Sequence, residues 1–284
     1  MIKGIPWWAK LGAKIVLSRL PFDYRRWASL GLFKHGAMVD PNYALGVFRS
    51  HFDRAEFPAK RGAFTCLELG PGDSLLSAPI AHVFGAQCCY LVDSGNFASR
   101  EMAPFHKLLD LLAAEEKDVL DLRDARGWSD VLSWCNATYL VGGPDVLSSI
   151  PDGSVDFIWS QAVLEHVRKR DFDKTMRELR RILRPGGCCS HTVDLTDHFN
   201  GQLNNLRFSE ARWESGLFAH SGFYTNRIRF SEMIAMFESA DFKVAQISGK
   251  SWARLPTPRA LLDARFSTLG DKDLLTYGFD VVLQ

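Results

Sequence analysis

From Phe64 to the end of the chain, short apolar runs take turns with stretches of helical periodicity. A strand, a helix and a second strand in the same direction need a crossover, so such a chain folds as a parallel sheet with helices packed on it. The runs predict strands near 64–69, 87–93, 137–141, 155–160, 187–194, 242–249 and 276–283. Helices are predicted near 74–84, 98–115, 127–135, 171–183 and 230–240. The expected class is α/β, with a seven-stranded, mostly parallel sheet and helices on both faces.

Residues 1–60 read differently. Ile5, Trp8, Leu11, Ile15 and Leu20 recur at helical spacing with Lys3, Lys10, Lys14 and Arg19 between them, until Pro21 breaks the pattern. Over residues 1–39, Arg25, Arg26 and Lys34 add to those four cations, and the acid is Asp23. The expected organisation is therefore a basic helical cap or extension over 1–60 and one catalytic domain over 61–284. The net charge of +1 for 284 residues gives no global attraction to nucleic acid, and none is expected as a partner.

The cysteines (66, 88, 89, 135, 188 and 189) form no C-x-x-C pair and stand near no histidine at metal-ligand spacing. They read as small buried hydrophobes in a reducing compartment, and no metal is expected. The opening stretch has neither the apolar length of a membrane span nor a cleavage-site pattern, which points to the cytoplasm.

Chemistry enters where the first strand ends. Phe64–Leu69 runs into Gly70-Pro71-Gly72-Asp73-Ser74, where glycines allow a sharp turn and close backbone approach. About twenty residues later the second strand ends in Asp93, placed to accept hydrogen bonds from ribose hydroxyls. A dinucleotide fingerprint wants a glycine where this chain has Leu75, and Glu68 would repel a pyrophosphate. Those two residues disfavour a nicotinamide-dependent oxidoreductase and suit a ligand with an ammonium end.

Leu67-Glu68-Leu69-Gly70-Pro71-Gly72 resembles the first motif of class I S-adenosylmethionine-dependent methyltransferases, and Leu91-Val92-Asp93 resembles their second-strand acid. Residues 151–160, then Leu164-Glu165-His166-Val167, then Leu183-Arg184-Pro185-Gly186-Gly187 resemble the later motifs of that family in order and spacing. Ser74 stands where the family often has a third glycine. The resemblance implies a Rossmann-like fold and S-adenosyl-L-methionine as cofactor. It further implies that Glu68, Gly70 and Gly72 hold the methionine part, Asp93 the ribose, and Asp145 and Val146 the adenine. Read without the resemblance, Asp145 caps the turn Gly142-Gly143-Pro144-Asp145. The competing reading of the whole chain is a cofactor-binding or scaffolding protein without turnover.

A sulfonium methyl is already electrophilic, so the protein must chiefly align an acceptor, and a base is needed only where the acceptor nucleophile carries a proton. The carboxyl ends of the fourth and fifth strands offer Glu165, His166, His191, Asp194, Asp197 and His198. His198, His191 and His166 are the candidate bases. The stretch 196–229 is long for a connection and rich in Asn, Arg and aromatics, which reads as a lid or substrate segment. Those side chains suit a hydroxyl-rich or anionic small-molecule acceptor on oxygen or nitrogen, such as a sugar, a glycan or a lipid-linked precursor. The basic N-terminal helix packs over the site as a cap, contributing Trp7, Trp8 or Tyr24. The second reading lays residues 1–20 on the anionic inner face of a membrane as a peripheral contact.

Overall fold

The computed structural model describes residues 6–17, 37–115, 117–119 and 122–284. Its seven strands, β1 (Phe64–Leu69), β2 (Ala86–Asp93), β3 (Ala137–Val141), β4 (Val155–Gln161), β5 (Leu183–Asp194), β6 (Val244–Ser251) and β7 (Thr276–Leu283), form one sheet in the order β3-β2-β1-β4-β5-β7-β6. The first five run parallel, and β7 is antiparallel to both β5 and β6. The strand order reverses direction at β1, which lies between β2 and β4, and the crevice above such a switch point is where open α/β sheets take ligands.

Two apolar layers sandwich the sheet. On one face lie α2 (Pro41–Arg54), α3 (Ser77–Val83), α4 (Ala103–Ala114) and α5 (Trp128–Trp134), which meet Cys66, Phe157 and Trp159. On the other lie α6 (Lys169–Ile182) and α7 (Phe230–Ser239), over Leu67, Ile158 and Val193. The helix α1 (Trp7–Leu17) precedes them and belongs to neither layer. Five cysteines are buried, Cys88 is half-buried and all are free thiols, as small apolar side chains in strands would be.

The sheet was legible in the sequence, and α2 was not separated from the extension. Asp40 accepts N–H bonds from Asn42 and Tyr43, Pro41 fills the first turn, and Ala44, Leu45, Phe48 and His51 turn inward, so the helix is capped and amphipathic. Phe48 is wholly buried among Phe52, Phe84, Phe157 and Trp159. Residues 41–54 are therefore part of the sheet's core rather than of a cap over it. The strand β5 also starts earlier than predicted, because Leu183 already pairs with Val155, and the Arg-Pro-Gly-Gly stretch bulges before the ladder resumes with Cys188 opposite Phe157. A Cβ at Gly187 would stand 2.8 Å from the Asp156 carbonyl oxygen, which only glycine avoids.

The segment 196–229 folds into helical turns at Asn204–Arg207, Glu210–Trp213 and Gly216–Ala219 instead of an open lid. Phe199, Trp213, Phe218, Phe223 and Tyr224 make a small core of their own, completed by Leu11 of α1. The polar side chains expected to meet an acceptor are mostly buried and engaged. Arg229 donates to the carbonyls of Leu195, Asp273 and Thr276, and Asn226 to those of Leu164 and Val167. Trp213 donates to the Thr225 carbonyl, and Asn205 to the Thr225 hydroxyl. Buried backbone acceptors in and around an irregular segment must find donors, and these side chains supply them.

The helix α1 packs on that segment. Trp7 meets Phe199 and Phe208, with the Arg207 guanidinium over its ring. Trp8 points outward at 63% exposure. Lys10 and Lys14 turn inward, which removes them from the charged face that the membrane reading required. Lys3, Ile5, Arg19, Leu20, Asp23, Tyr24, Arg25, Arg26 and Lys34 lie outside the described residues. Among the described residues no helix is long and apolar enough to cross a membrane.

Candidate active site

At the carboxyl end of β1 the chain turns with Gly70 at φ 77° and Gly72 at φ 65°, a conformation that side chains resist. A Cβ on Gly70 would lie 2.5 Å from Val163, so the approach that demands glycine at 70 is made by the turn after β4. Gly72 donates its N–H to Asp93 Oδ2 at 2.9 Å, and Ser94 donates to Asp93 Oδ1 at 2.6 Å, which ties the glycine bend to the tip of β2. Asp93 is 7% exposed, and burial raises its pKa against the N–H donors that lower it. Its Oδ2 keeps acceptor capacity beside the bond from Gly72.

Glu68 stands two residues before the bend, 2% exposed, and its Oε2 has no hydrogen-bond partner among the described residues. Burial lifts its carboxyl to about 8, with Ser77 holding it down and Asp93 adding to the rise. An uncompensated buried carboxyl of this kind is costly unless a cation completes it.

Asp145 stands elsewhere. It sits on the short 3-10 helix Gly143–Ser149, its side chain is 81% exposed, and its carboxylate pairs with Lys174 of α6 at 2.5 Å. The structure thus gives Asp145 a surface ion pair, a different engagement from the adenine contact expected of it. Val146 is half-buried, with Cγ1 2.7 Å from where a Gly142 Cβ would be, and packs against the α6 and α7 layer.

The histidines divide into two groups. His191 is wholly buried on the face covered by α6 and α7, with Nδ1 2.7 Å from Ser160 Oγ. Burial holds it down to about 3, so it is a neutral core residue out of an acceptor's reach, and the base role expected for it is corrected. His166 and His198 instead face each other with ring centroids 4.8 Å apart at the ends of β4 and β5. His166 Nδ1 lies 2.9 Å from the Tyr224 carbonyl oxygen, so Nδ1 carries the hydrogen. Burial first, then His198, lowers His166 to about 4. Burial also lowers His198, Lys14 lowers it further, and Asp194 and Asp197 oppose the shift. His198 Nε2 has no hydrogen-bond partner among the described residues. Both imidazoles are therefore neutral near pH 7.

Residues 67–190 match the family described as methyltransferase domain. That span begins inside β1, takes in the glycine bend, Asp93 and His166, and ends in β5. By that match the span is a methyltransferase domain. No curated protein matches the chain. Among solved structures, the chain is similar to an S-adenosylmethionine-dependent methyltransferase from Archaeoglobus fulgidus (10% identity, 92% of this chain and 99% of that one, TM-score 0.49). It is also similar to one from Mesorhizobium loti (14% identity, 79% and 92%, TM-score 0.44). A third is the putative methyltransferase of Haloferax volcanii in complex with the Trm112 activator (19% identity, 87% and 88%, TM-score 0.43).

Val163 and Lys14 escaped the sequence as parts of the candidate site, and so did the burial of Glu165, which the sequence had placed there. Val163 covers Gly70 although nothing in Ala-Val-Leu marks it out. Glu165 is buried and raised well above the ordinary carboxyl range by burial, with Oε1 3.3 Å from the Asp194 amide that donates to it. Lys14 reaches the His198 carbonyl from the other end of the chain. For Glu165 the signal was present, since an acid inside an apolar Val-Leu-x-His-Val run invites the question of what compensates it.

Proposed function

We propose that this methyltransferase alkylates an oxygen or nitrogen of a small-molecule acceptor, with His198 taking the acceptor's proton. The observation that carries the reading is the pair of neutral imidazoles, His166 and His198, above the carboxyl ends of β4 and β5. When bound, the cofactor supplies an electrophilic methyl, and its sulfur keeps the bonding electrons. The protein's tasks are then to hold the two reactants in line, to remove one proton and to keep water out. Asp194 at the end of β5 favours the imidazolium formed when His198 accepts that proton.

Glu68, Gly70, Gly72 and Asp93 are the proposed cofactor residues, Glu68 for the ammonium and Asp93 for the ribose, with Val146 beside the base. The residues fit such a ligand: a buried carboxyl lacks a partner at one end of the bend, and a carboxylate oxygen with spare acceptor capacity stands at the other. A sugar or glycan acceptor loses the support of Asn204, Asn205, Trp213, Asn226, Arg227 and Arg229, all of which are buried. A membrane-linked acceptor would have to be approached by the uncharged outer face of α1, where Trp8 and Val16 are exposed.

Replacement of His198 by Gln is expected to slow methyl transfer about 100-fold, within the range for loss of a general base. Labelled cofactor and fractionated small-molecule extract provide the assay, with S-adenosylhomocysteine affinity expected to stay within about twofold. Undiminished transfer by that variant removes His198 from the role.

The Glu68 carboxyl gives a second expectation. Its pKa of about 8 means that it is mostly protonated at pH 7 without ligand, whereas an ammonium favours the ionised form. Binding of S-adenosylhomocysteine should therefore release protons at pH 7, and affinity should rise from pH 6 to pH 8. Calorimetry in two buffers of different ionisation enthalpy reads the release directly. Glu68→Gln should bind more weakly and lose the pH dependence, and a flat profile in the unaltered protein would contradict the assignment.

A further inference from the structure

The lysines of α1 are used in an unusual way. Lys14 Nζ donates to the His198 carbonyl at 3.1 Å, and Lys10 Nζ donates to the Phe199 carbonyl at 3.1 Å and to Asn200 Oδ1 at 2.6 Å. Three consecutive residues beyond β5 are thus gripped from a helix about 190 positions earlier in the chain. Neither lysine has an ion pair among the described residues, although cations elsewhere on the surface commonly have one.

The groups that face His198 come from four places. Lys14 comes from α1, His166 from the turn after β4, Asp194 from the end of β5, and Asp197 from its own segment. Asp197 is buried and accepts N–H donors from Phe199, Asn200 and Asn204, while Asp194 Oδ1 accepts from Thr196. With those carboxylates engaged, Lys14 is a cation close to both imidazoles that, among the described residues, donates only to a carbonyl. Keeping an ammonium half-buried there has a desolvation cost, and burial lowers its pKa accordingly. A methionine of similar length would pack beside Leu11 and Ile15 without that cost.

We propose that Lys14 is a positioning residue of the acceptor site, fixing from α1 the main chain that carries His198 and presenting a positive charge to the His166–His198 pair. The proposal rests on reading His198 as the base. The charge disfavours the imidazolium, so the pair stays deprotonated and able to accept a proton over a wider pH range. The N-terminal helix is then part of the active site and not merely a cover.

The test does not need the acceptor. The full-length protein, labelled with 15N-histidine and saturated with S-adenosylhomocysteine, is titrated by NMR between about pH 4.5 and 8, with His198→Gln and His166→Gln assigning the signals. Lys14→Met should move the His198 midpoint up by about half a pH unit, the effect of removing a nearby charge through a partly aqueous path. Lys14→Arg should leave it in place, and cofactor affinity should be unchanged in both. A Lys14→Met titration that overlays the unaltered protein overturns the proposal. Lys14→Gln serves as the neutral variant should the methionine protein not fold, and the same two outcomes apply to it. If His198→Gln proves fully active while Lys14→Met shifts the midpoint, the base assignment has failed and the electrostatic contact stands.

Discussion

Asp93→Ala is expected to weaken S-adenosylhomocysteine binding by about 100-fold or more. A hydrogen bond to a charged acceptor is worth about 1.5–3 kcal/mol, and a ribose offers two hydroxyls to this carboxylate. The same substitution also releases the Gly72 and Ser94 amides that Asp93 now accepts, so the bend loses its tether to β2. Both effects act in the same direction on binding. Stability should change less, because removing a buried carboxylate relieves the desolvation that raises its pKa. Asp93→Asn is the finer probe, since its amide oxygen can still accept from Gly72 while the charge is gone. Calorimetry on both proteins, with thermal unfolding as the control for folding, reads the effect. An affinity within about fivefold of the original, in a cooperatively folding Asp93→Ala protein, would sink the assignment.

Arg229→Met is expected to be the most destabilising of these substitutions, by about 4 kcal/mol, and to lower the unfolding midpoint by on the order of 10 °C. The guanidinium is buried at the entry to α7 and donates to three carbonyls in two separate parts of the chain, at Leu195 and at Asp273 and Thr276. Removing it leaves three carbonyl oxygens without their donor in a site that water does not reach. Burial holds the Arg229 pKa down to about 10, still far enough above neutrality that the cation persists there. Differential scanning calorimetry gives the result. A midpoint within about 2 °C of the original would mean that the carbonyls find other donors and that the hydrogen-bond account is wrong.

The geometry of the proposed cofactor half of the site was legible because it is local in the chain. Gly70 and Gly72 follow β1 directly, and Asp93 ends the next strand after one short helix, so the β-α-β geometry fixes their separation. Strands 64–69 and 276–283 were located to the residue, since a buried strand declares itself by composition and by the turns around it. The ion pair of Asp145 was not legible, because a turn of Gly-Gly-Pro-Asp fixes the backbone without saying which way the carboxylate points, and Lys174 meets it from α6. His191 was misjudged for a related reason. A histidine in a strand has two faces available, and only the neighbouring strand, bringing Ser160 alongside, shows that its face is closed by helices.

The segment 196–229 gives the same lesson on a larger scale. Its Asn, Arg and Trp residues have the chemistry to bind hydroxyl-rich ligands, and the sequence records that chemistry without recording the competitor. The competitor is backbone, the segment's own at Thr225 and that of its neighbours at Leu164 and Leu195, whose carbonyls claim those donors on folding. By itself the sequence determined the sheet, the order of its strands along the chain and the glycine bend that is proposed to hold a nucleoside, since each depends on residues within about one β-α-β unit of one another. Only tertiary structure decided the acceptor side, because Lys14, His166, His198 and Tyr224 meet through contacts that no periodicity or spacing encodes. Those contacts form only after separate layers have packed, when burial selects which polar groups must find one another.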